Sequence, residues 1–339
     1  MGAQESMEKK SAKPLIVVTG AAGMIGSGIV RHLNDLGHTN LLLVDDLGSS
    51  DKWKNLLGKR FSHLISIQEL FPYLEGRGKE IAAFIHLGAC SDTLEKNGDY
   101  LMENNYRFSV RLAEYALNHG IRFIYASSAA TYGDGSRGFS DDHSLLSQLA
   151  PLNLYGFSKH LFDLWADEQG VLSQVVGLKY FNVFGPNEEH KGRMASMVFK
   201  MYPLVQKEGV LRLFKSSDPK QFADGDQCRD FIYVKDAARI TCDFLQNSSG
   251  GIFNVGSGVP STWNELARQV FHASNVPVKI EYISMPEDLA RQYQNYTCAD
   301  VQKLMNCFLK AEPKAFCRFS LGEAVTDYVQ QHLAKDQKW

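Results

Sequence analysis

Tyr155 and Lys159 stand four residues apart in Tyr155-Gly156-Phe157-Ser158-Lys159, a stretch that reads as helix. That spacing stacks both side chains on one helical face, one turn apart. A phenol with an ordinary pKa of ~10 is a poor base at neutral pH. A lysine ammonium beside it, with a second cation nearby, favours the phenolate and makes an acid–base group for an alcohol that loses hydride. A further hydroxyl, Ser128, ends the apolar run Phe123-Ile124-Tyr125-Ala126 and opens Ser127-Ser128-Ala129-Ala130-Thr131-Tyr132-Gly133. At the C-terminal end of a strand in an open α/β sheet it lies where ligands bind. Tyr-x-x-x-Lys alone recurs by chance on helix surfaces, so the elements around it carry the argument.

Those elements begin with Leu15-Ile16-Val17-Val18, a β-branched run leading into Gly20, Gly23 and Gly26 in the pattern Gly-x-x-Gly-x-x-Gly, then a helical stretch from Met24 to Leu36. Strand, glycine turn and helix N-terminus together form a site for a dinucleotide pyrophosphate. The next strand, Leu41 to Val44, ends in Asp45-Asp46, about 20 residues beyond the glycines, where an acid meets the adenosine ribose. Asp45 there favours the 2′-hydroxyl of NAD, whereas Lys52 could pair with the 2′-phosphate of NADP, and the residues alone leave both open. Ile81 to Leu87 is a further strand, exiting into the small-residue turn Gly88-Ala89-Cys90-Ser91 that lets a cofactor approach the backbone. His86 within it reads as a core histidine. An amphipathic helix from Tyr100 to His119 follows, with Asn104 and Asn105 near its start, and Val175 to Leu178 is one more strand.

This alternation predicts an α/β fold with a doubly wound parallel sheet. Beyond Pro186 the pattern loosens. The charged loop Glu188-Glu189-His190-Lys191-Gly192-Arg193 precedes a helix from Met194 to Lys207, and Leu211 to Phe214 and Phe231 to Val234 read as strands. So do Gly251 to Gly256 and Val278 to Ile283, with helices over Thr262 to Asn275 and Ser320 to His332. The expected division is a disordered tail (1–13), a dinucleotide-binding Rossmann domain (14–182 plus about 230–257) and a discontinuous substrate lobe (183–229 and about 258–339).

With 339 residues, 44% of them hydrophobic, and a formal charge of −2, the chain offers no basic excess for nucleic acid and no apolar run long enough to span a bilayer. Its six cysteines show no Cys-x-x-Cys pair, which fits thiols in a reducing cytoplasm and indicates no metal. Met1 to Lys13 lacks an apolar core, so it is no secretory signal, although Met1-Gly2-Ala3-Gln4-Glu5-Ser6 fits the short myristoylation pattern.

Gly20-x-x-Gly23-x-x-Gly26, Ser128 and Tyr155-x-x-x-Lys159, in that order, resemble the extended short-chain dehydrogenase/reductase superfamily acting on nucleotide sugars. Within it, Tyr180-Phe181-Asn182-Val183-Phe184-Gly185-Pro186, His190-Lys191-Gly192, Met194-Ala195-Ser196 and Arg229-Asp230-Phe231-Ile232-Tyr233-Val234 are most similar to the ADP-L-glycero-D-manno-heptose 6-epimerases. The resemblance covers residues 14 to about 330. It implies a homo-oligomeric epimerase of ADP-heptose, a lipopolysaccharide precursor, holding NADP and passing through a 6-keto sugar. It also implies Ser128, Tyr155 and Lys159 as a catalytic triad and Lys191 as a second acid–base group. Cofactor contacts carried over are Met24, Ile25, Asp45, Asp46, Lys52, the turn Leu87, Gly88, Ala89, Cys90 and Ser91, then Asn104, Lys159 and Val183. Substrate contacts are Asn182, Phe214, Lys215, Ser216, Ser217, Arg229 and Tyr293, with Arg193 and Lys200 where the family has a serine and a histidine. A UDP-hexose 4-epimerase is the alternative; it would leave Lys191 idle. A 4,6-dehydratase would carry acids at Ala129 and Ala130, and a cofactor-sensing regulator would lose Tyr155 or Lys159.

Overall fold

The computed structural model describes residues 14–286, 293–308 and 316–339. The expected disordered tail and the myristoylation pattern lie outside the described residues. Seven parallel strands form the central sheet: β1 (Leu15–Thr19), β2 (Leu41–Val44), β3 (His63–Ile65), β4 (Ile81–His86), β5 (Arg122–Ser128), β6 (Val175–Tyr180) and, from much later in the chain, β10 (Gly251–Val255). Their order is β3-β2-β1-β4-β5-β6-β10. The order reverses between β1 and β4, which opens a crevice at their C-terminal ends. The doubly wound α/β expectation holds.

Period-two alternation explains why these runs are apolar throughout. Ile16, Val18, Leu41 and Leu43 pack into the core on one face, while Leu15, Val17, Leu42 and Val44 pack into the core on the other. A third core, built around Phe184, Val198, Tyr233, Leu266 and Phe271, belongs to the second lobe, and Met24 at the start of the first helix reaches into it. Helices Met197–Glu208, Trp263–Ala273 and Leu321–Asp327 surround that core.

Differences from the expected elements have local causes. Cys228–Tyr233 (β9) is not beside the central sheet but pairs with Asn182–Phe184 (β7) and Pro260–Thr262 (β11), two strands too short to show alternation. Leu211–Phe214 (β8) pairs with Ile280–Ile283 (β12), so the strand expected from Val278 starts two residues later. The single helix expected from Tyr100 to His119 is interrupted by a π-helical turn at Met102–Arg107 before Phe108–Asn118 resumes as α-helix. That turn rotates Asn105 completely inward. The helix expected from Met194 begins at Met197, because Ser196 accepts the Phe199 N–H and caps it.

Candidate active site

The crevice is built first from glycines. Gly20 has φ +66, and a Cβ there would meet the Gly88 backbone nitrogen at 2.7 Å, so the β1 and β4 turns touch at the point of reversal. A Cβ on Gly26 would come within 2.1 Å of the Gly20 carbonyl oxygen. Gly23 caps the Met24–Asp35 helix without a side chain, leaving its first N–H groups for an anion, and no acidic residue stands in the first turn. This cradle fits a dinucleotide pyrophosphate. Asp45, at the end of β2, accepts the Ala22 N–H (2.8 Å) and the Lys52 ammonium (2.7 Å). Asp46 is exposed and accepts the Ile67 N–H at 3.0 Å.

On the other side of the reversal point, the turn after β4 is held by Asn105. Its Oδ1 accepts the Cys90 N–H (2.8 Å), while its Nδ2 donates to the Cys90 carbonyl and to Ser158 Oγ (both 3.0 Å). Leu87, Gly88, Ala89, Cys90 and Ser91 thus line the crevice beside the Tyr155 helix. Asn104 donates to Asn105 Oδ1. His86 is bonded at both ring nitrogens, to Thr19 Oγ1 (2.6 Å) and Ser109 Oγ (2.8 Å). Burial and the Lys159 charge hold it neutral, its pKa lowered to about 3.

Tyr155 and Lys159 lie on the helix Leu154–Glu168, capped by Asn153, whose side chain accepts the Gly156 N–H at 2.8 Å. A Cβ on Gly156 would stand 2.7 Å from the Ala130 carbonyl oxygen, so helix and Ser128 turn are in closest contact here. Burial raises the Tyr155 phenol above its ordinary pKa, and a hydrogen bond with Ser128 opposes that rise. Burial lowers Lys159 to about 8, partly offset by Asp163 one turn further on. Asp163 is fully buried. It pairs with Lys179 (2.6 Å) and accepts the hydroxyls of Tyr125 (2.9 Å) and Ser127 (2.7 Å).

Lys191 comes from the opposite lobe. It lies in a 3₁₀ segment, Glu189–Met194, broken at Gly192 (φ +51). Its Nζ sits 3.9 Å from Met24 Sδ, over the start of the dinucleotide helix. Burial lowers its pKa, with Glu188 opposing and Lys200 assisting. Glu188 is itself buried and bonded to Ser196 Oγ (2.6 Å), the Ser196 N–H (2.5 Å) and the Tyr328 hydroxyl (3.0 Å). Arg193 does not point at a sugar site here; it pairs with Asp92 at 2.5 Å, and Lys200 donates to its carbonyl at 2.7 Å.

The remaining expected substrate contacts gather in the second lobe. Arg229 donates to the Cys228 carbonyl (2.8 Å), and its guanidinium lies over the rings of Tyr293 (5.1 Å) and Trp263 (5.6 Å), with no ion pair to Asp226 or Asp230 among the described residues. Asp230 instead accepts the N–H groups of Ser257, Gly258 and Ala299. Tyr293 also lines an open cavity of about 530 Å³ with Asp134, Phe139, Asp218, Phe222 and Tyr296. Ser217 donates to Asn295 Oδ1 at its edge, Ser216 N–H is tied to Asp224, and Phe214 and Lys215 finish β8 beneath. Asn182 donates to the Asp230 carbonyl (3.2 Å), and Val183 and Ile25 pack half-buried between the cores. In the sequence Asn105 and Gly156 stand out only as neighbours of Asn104 and Tyr155, and Asp163 carries only a spacing signal, continuing Tyr155 and Lys159 at a further four residues.

Among the described residues no helix is long and apolar enough to cross a membrane, and no group of side chains could hold a metal ion. The model of the NAD dependent epimerase/dehydratase family matches residues 16–256. An ADP-L-glycero-D-manno-heptose-6-epimerase of Nitratidesulfovibrio vulgaris is 48% identical over 94% of this chain and 98% of its own, and one of Fusobacterium nucleatum is 43% identical over 96% and 100%. The crystal structure of the Helicobacter pylori ADP-L-glycero-D-manno-heptose-6-epimerase superposes with a TM-score of 0.77 at 26% identity, covering 94% of this chain and 96% of that one. UDP-glucose 4-epimerase of Thermotoga maritima (TM-score 0.76, 22% identity, 95% and 100%) shares the fold. The chain belongs to the NAD dependent epimerase/dehydratase family and, within it, to the ADP-L-glycero-D-manno-heptose-6-epimerases.

Proposed function

We propose that this chain interconverts ADP-D-glycero- and ADP-L-glycero-β-D-manno-heptose through a transient 6-keto sugar, using NADP. One observation carries the reading. Tyr155, with Ser128 and Lys159, forms one wall of the crevice, and Lys191 enters from the other lobe above Met24. The C6–H of a heptose is not acidic, so inversion needs hydride removal and return rather than deprotonation. When bound, the dinucleotide supplies a reversible hydride acceptor. The chain's own work is to hold the pyrophosphate at Gly20–Gly26 and to move the O6 proton.

Inversion presents O6 to the protein in two orientations, which suits two acid–base groups. Tyr155 serves one. Burial raises its phenol and the Ser128 hydrogen bond opposes the rise; a cationic nicotinamide bound beside it would lower it further. Lys191 serves the other, its burial favouring the neutral amine that accepts a proton. Arg229, stacked on Tyr293 and without an ion pair among the described residues, fits the ADP pyrophosphate. The aromatic rims of the neighbouring cavity fit the nucleoside. This assigns residues 14–182 with about 230–257 to the dinucleotide, and 183–229 with about 258–339 to the sugar nucleotide. NADP is favoured over NAD because Lys52 already cancels the Asp45 charge that would repel a 2′-phosphate. Lys52→Ala should therefore weaken NADP at least tenfold more than NAD in a binding titration.

The deciding experiment is proton NMR of the protein with ADP-D-glycero-β-D-manno-heptose. Appearance of the L-glycero epimer supports the reading. An inert protein that epimerises a UDP-hexose overturns the substrate.

A further inference from the structure

The Lys191 loop is fastened to the dinucleotide turn by side chains that the chemistry above does not use. Asn187 is completely buried and Asn55 is 1% exposed. Asn187 has φ +73, and its Nδ2 donates to Ser27 Oγ (2.9 Å) in the first turn of the dinucleotide helix and to the Trp339 carbonyl (3.0 Å). Its Oδ1 accepts the Trp339 N–H at 3.0 Å. Asn55 Nδ2 reaches the Asn187 carbonyl (3.0 Å) and the Ala22 carbonyl of the glycine turn (2.9 Å), and lies 3.3 Å from His190 Nδ1. His190 is held neutral by burial and by Lys191 and Lys52, its pKa lowered to about 4. Lys338 pairs with Glu189 at 2.7 Å, and the Trp339 ring fills the space beside Gly28, where a Cβ would meet it at 2.8 Å.

Segments around residues 22–28, 51–56, 187–191 and 338–339 therefore meet at Asn187, four residues before Lys191. Backbone bonding alone does not join the glycine turn to this loop; the amides of Asn55 and Asn187 do. We infer that Asn187 is a positioning residue that registers the Lys191 loop against the dinucleotide turn, so that the ammonium is held over Met24 at the mouth of the site. The inference rests on the reading of Lys191 as the second acid–base group. A buried amide with its donors and acceptor satisfied on two other segments, and its main-chain carbonyl on a third, fixes a loop to within a fraction of an ångström, which proton transfer requires.

The test is a double-mutant cycle of Asn187→Gly and Lys191→Ala, with kcat and KM for ADP-heptose epimerisation. Glycine keeps the positive φ and deletes only the amide. Asn187→Gly should lower kcat about 10- to 100-fold while KM moves less than about threefold. Added to Lys191→Ala it should cost nothing further, because the residue it positions is gone. A kcat near wild type for Asn187→Gly, or losses that multiply in the double variant, overturns the inference. A fully active Lys191→Ala overturns the underlying reading of Lys191 instead. Should Asn187→Gly not fold, Ser27→Ala removes the acceptor beneath the amide, together with the Ser27 bond to the Met24 carbonyl. It should then show the same cycle with a smaller loss, and independence from Lys191 would again overturn the inference.

Discussion

Two lysines face one crevice, and they are held there in opposite ways. Lys159 stands on a helix, one turn from Tyr155 and one turn from Asp163, so the α-helical repeat itself sets its position. Lys191 stands on a loop interrupted at Gly192, and its position comes from Glu188, Asn187, Asn55 and Tyr328, contributed by segments up to 140 residues away. Burial lowers both ammonium groups below the ordinary lysine range. The contrast teaches that one fold can hold two buried lysines at one crevice by different means, one by the helical repeat and one by side-chain bonds from distant segments. The helical one belongs to the half built on the central sheet, and the loop one to the segment that follows it into the other half.

The largest effects should separate the two. Tyr155→Phe removes the helix-borne acid–base group and should lower kcat by about 10²–10⁴-fold. Lys191→Ala should cost a similar factor for epimerisation. Hydride exchange with a substrate whose O6 is presented to Tyr155 should survive in the second variant and not in the first. Single-turnover absorbance of the reduced nicotinamide measures this. Equal loss of that half-reaction in both variants would abolish the division of labour.

Next in size is the support under the helix. Asp163→Asn leaves the Lys179 ammonium buried without its carboxylate partner, in a site where both are 0% exposed. Breaking one side of a buried pair costs about 3–5 kcal/mol, and a thermal melt should show it. Because Asp163 raises the Lys159 pKa, the same variant should carry a Lys159 that loses its proton at lower pH than in the parent. The matching change in the loop, Glu188→Gln, should lower the Lys191 pKa for the same reason.

How far each region could be read from the sequence follows from the same contrast. Strand–helix alternation, the glycine turn, Asp45 and the Tyr155/Lys159 pair are local periodic signals, and each is found in its expected element. Asn105 was visible only as a neighbour of Asn104, because the π-turn that buries it is not a feature of composition. Asn187, Asn55 and Trp339 meet across more than 100 residues, and no local pattern relates them. The short strands β7 and β11 escaped for a different reason: three residues cannot display alternation. Arg193 had been expected at the sugar, but Asp92, on a loop from the other half, holds it at the surface.

Two glycines sharpen the comparison at intermediate cost. Gly156 presses against the Ala130 carbonyl, whereas nothing lies within 4 Å of a Cβ on Gly192. Gly156→Ala must push the Tyr155 helix away from the Ser128 turn, and displacement of this size should cost about 100-fold in kcat. Gly192→Ala meets no neighbour and pays only for a backbone at φ +51, ψ −119, about 1–3 kcal/mol, and should change kcat a few-fold at most. The reverse ranking would mean that loop conformation governs the rate.

The smallest effect is a titration. Among the described residues, Lys159 and Lys59 are pushed down to about 8, both chiefly by burial. In lysine-labelled protein without dinucleotide, NMR should show their side chains titrating near pH 8, and Lys159→Met should remove one such signal. The sign for stability follows. Between about pH 8 and the ordinary value of 10.5 the unfolded chain binds more protons at these positions than the folded one. Stability contributed by them therefore rises with pH across that window, and the burial penalty is fully present below it. An oxidised nicotinamide dinucleotide bound in the crevice would add a cation and should shift Lys159 lower still while leaving Lys59 in place. A Lys159 signal that ignores the dinucleotide would show that the helix face and the nicotinamide are not in electrostatic contact, and the rigid half of the comparison would lose its chemical basis.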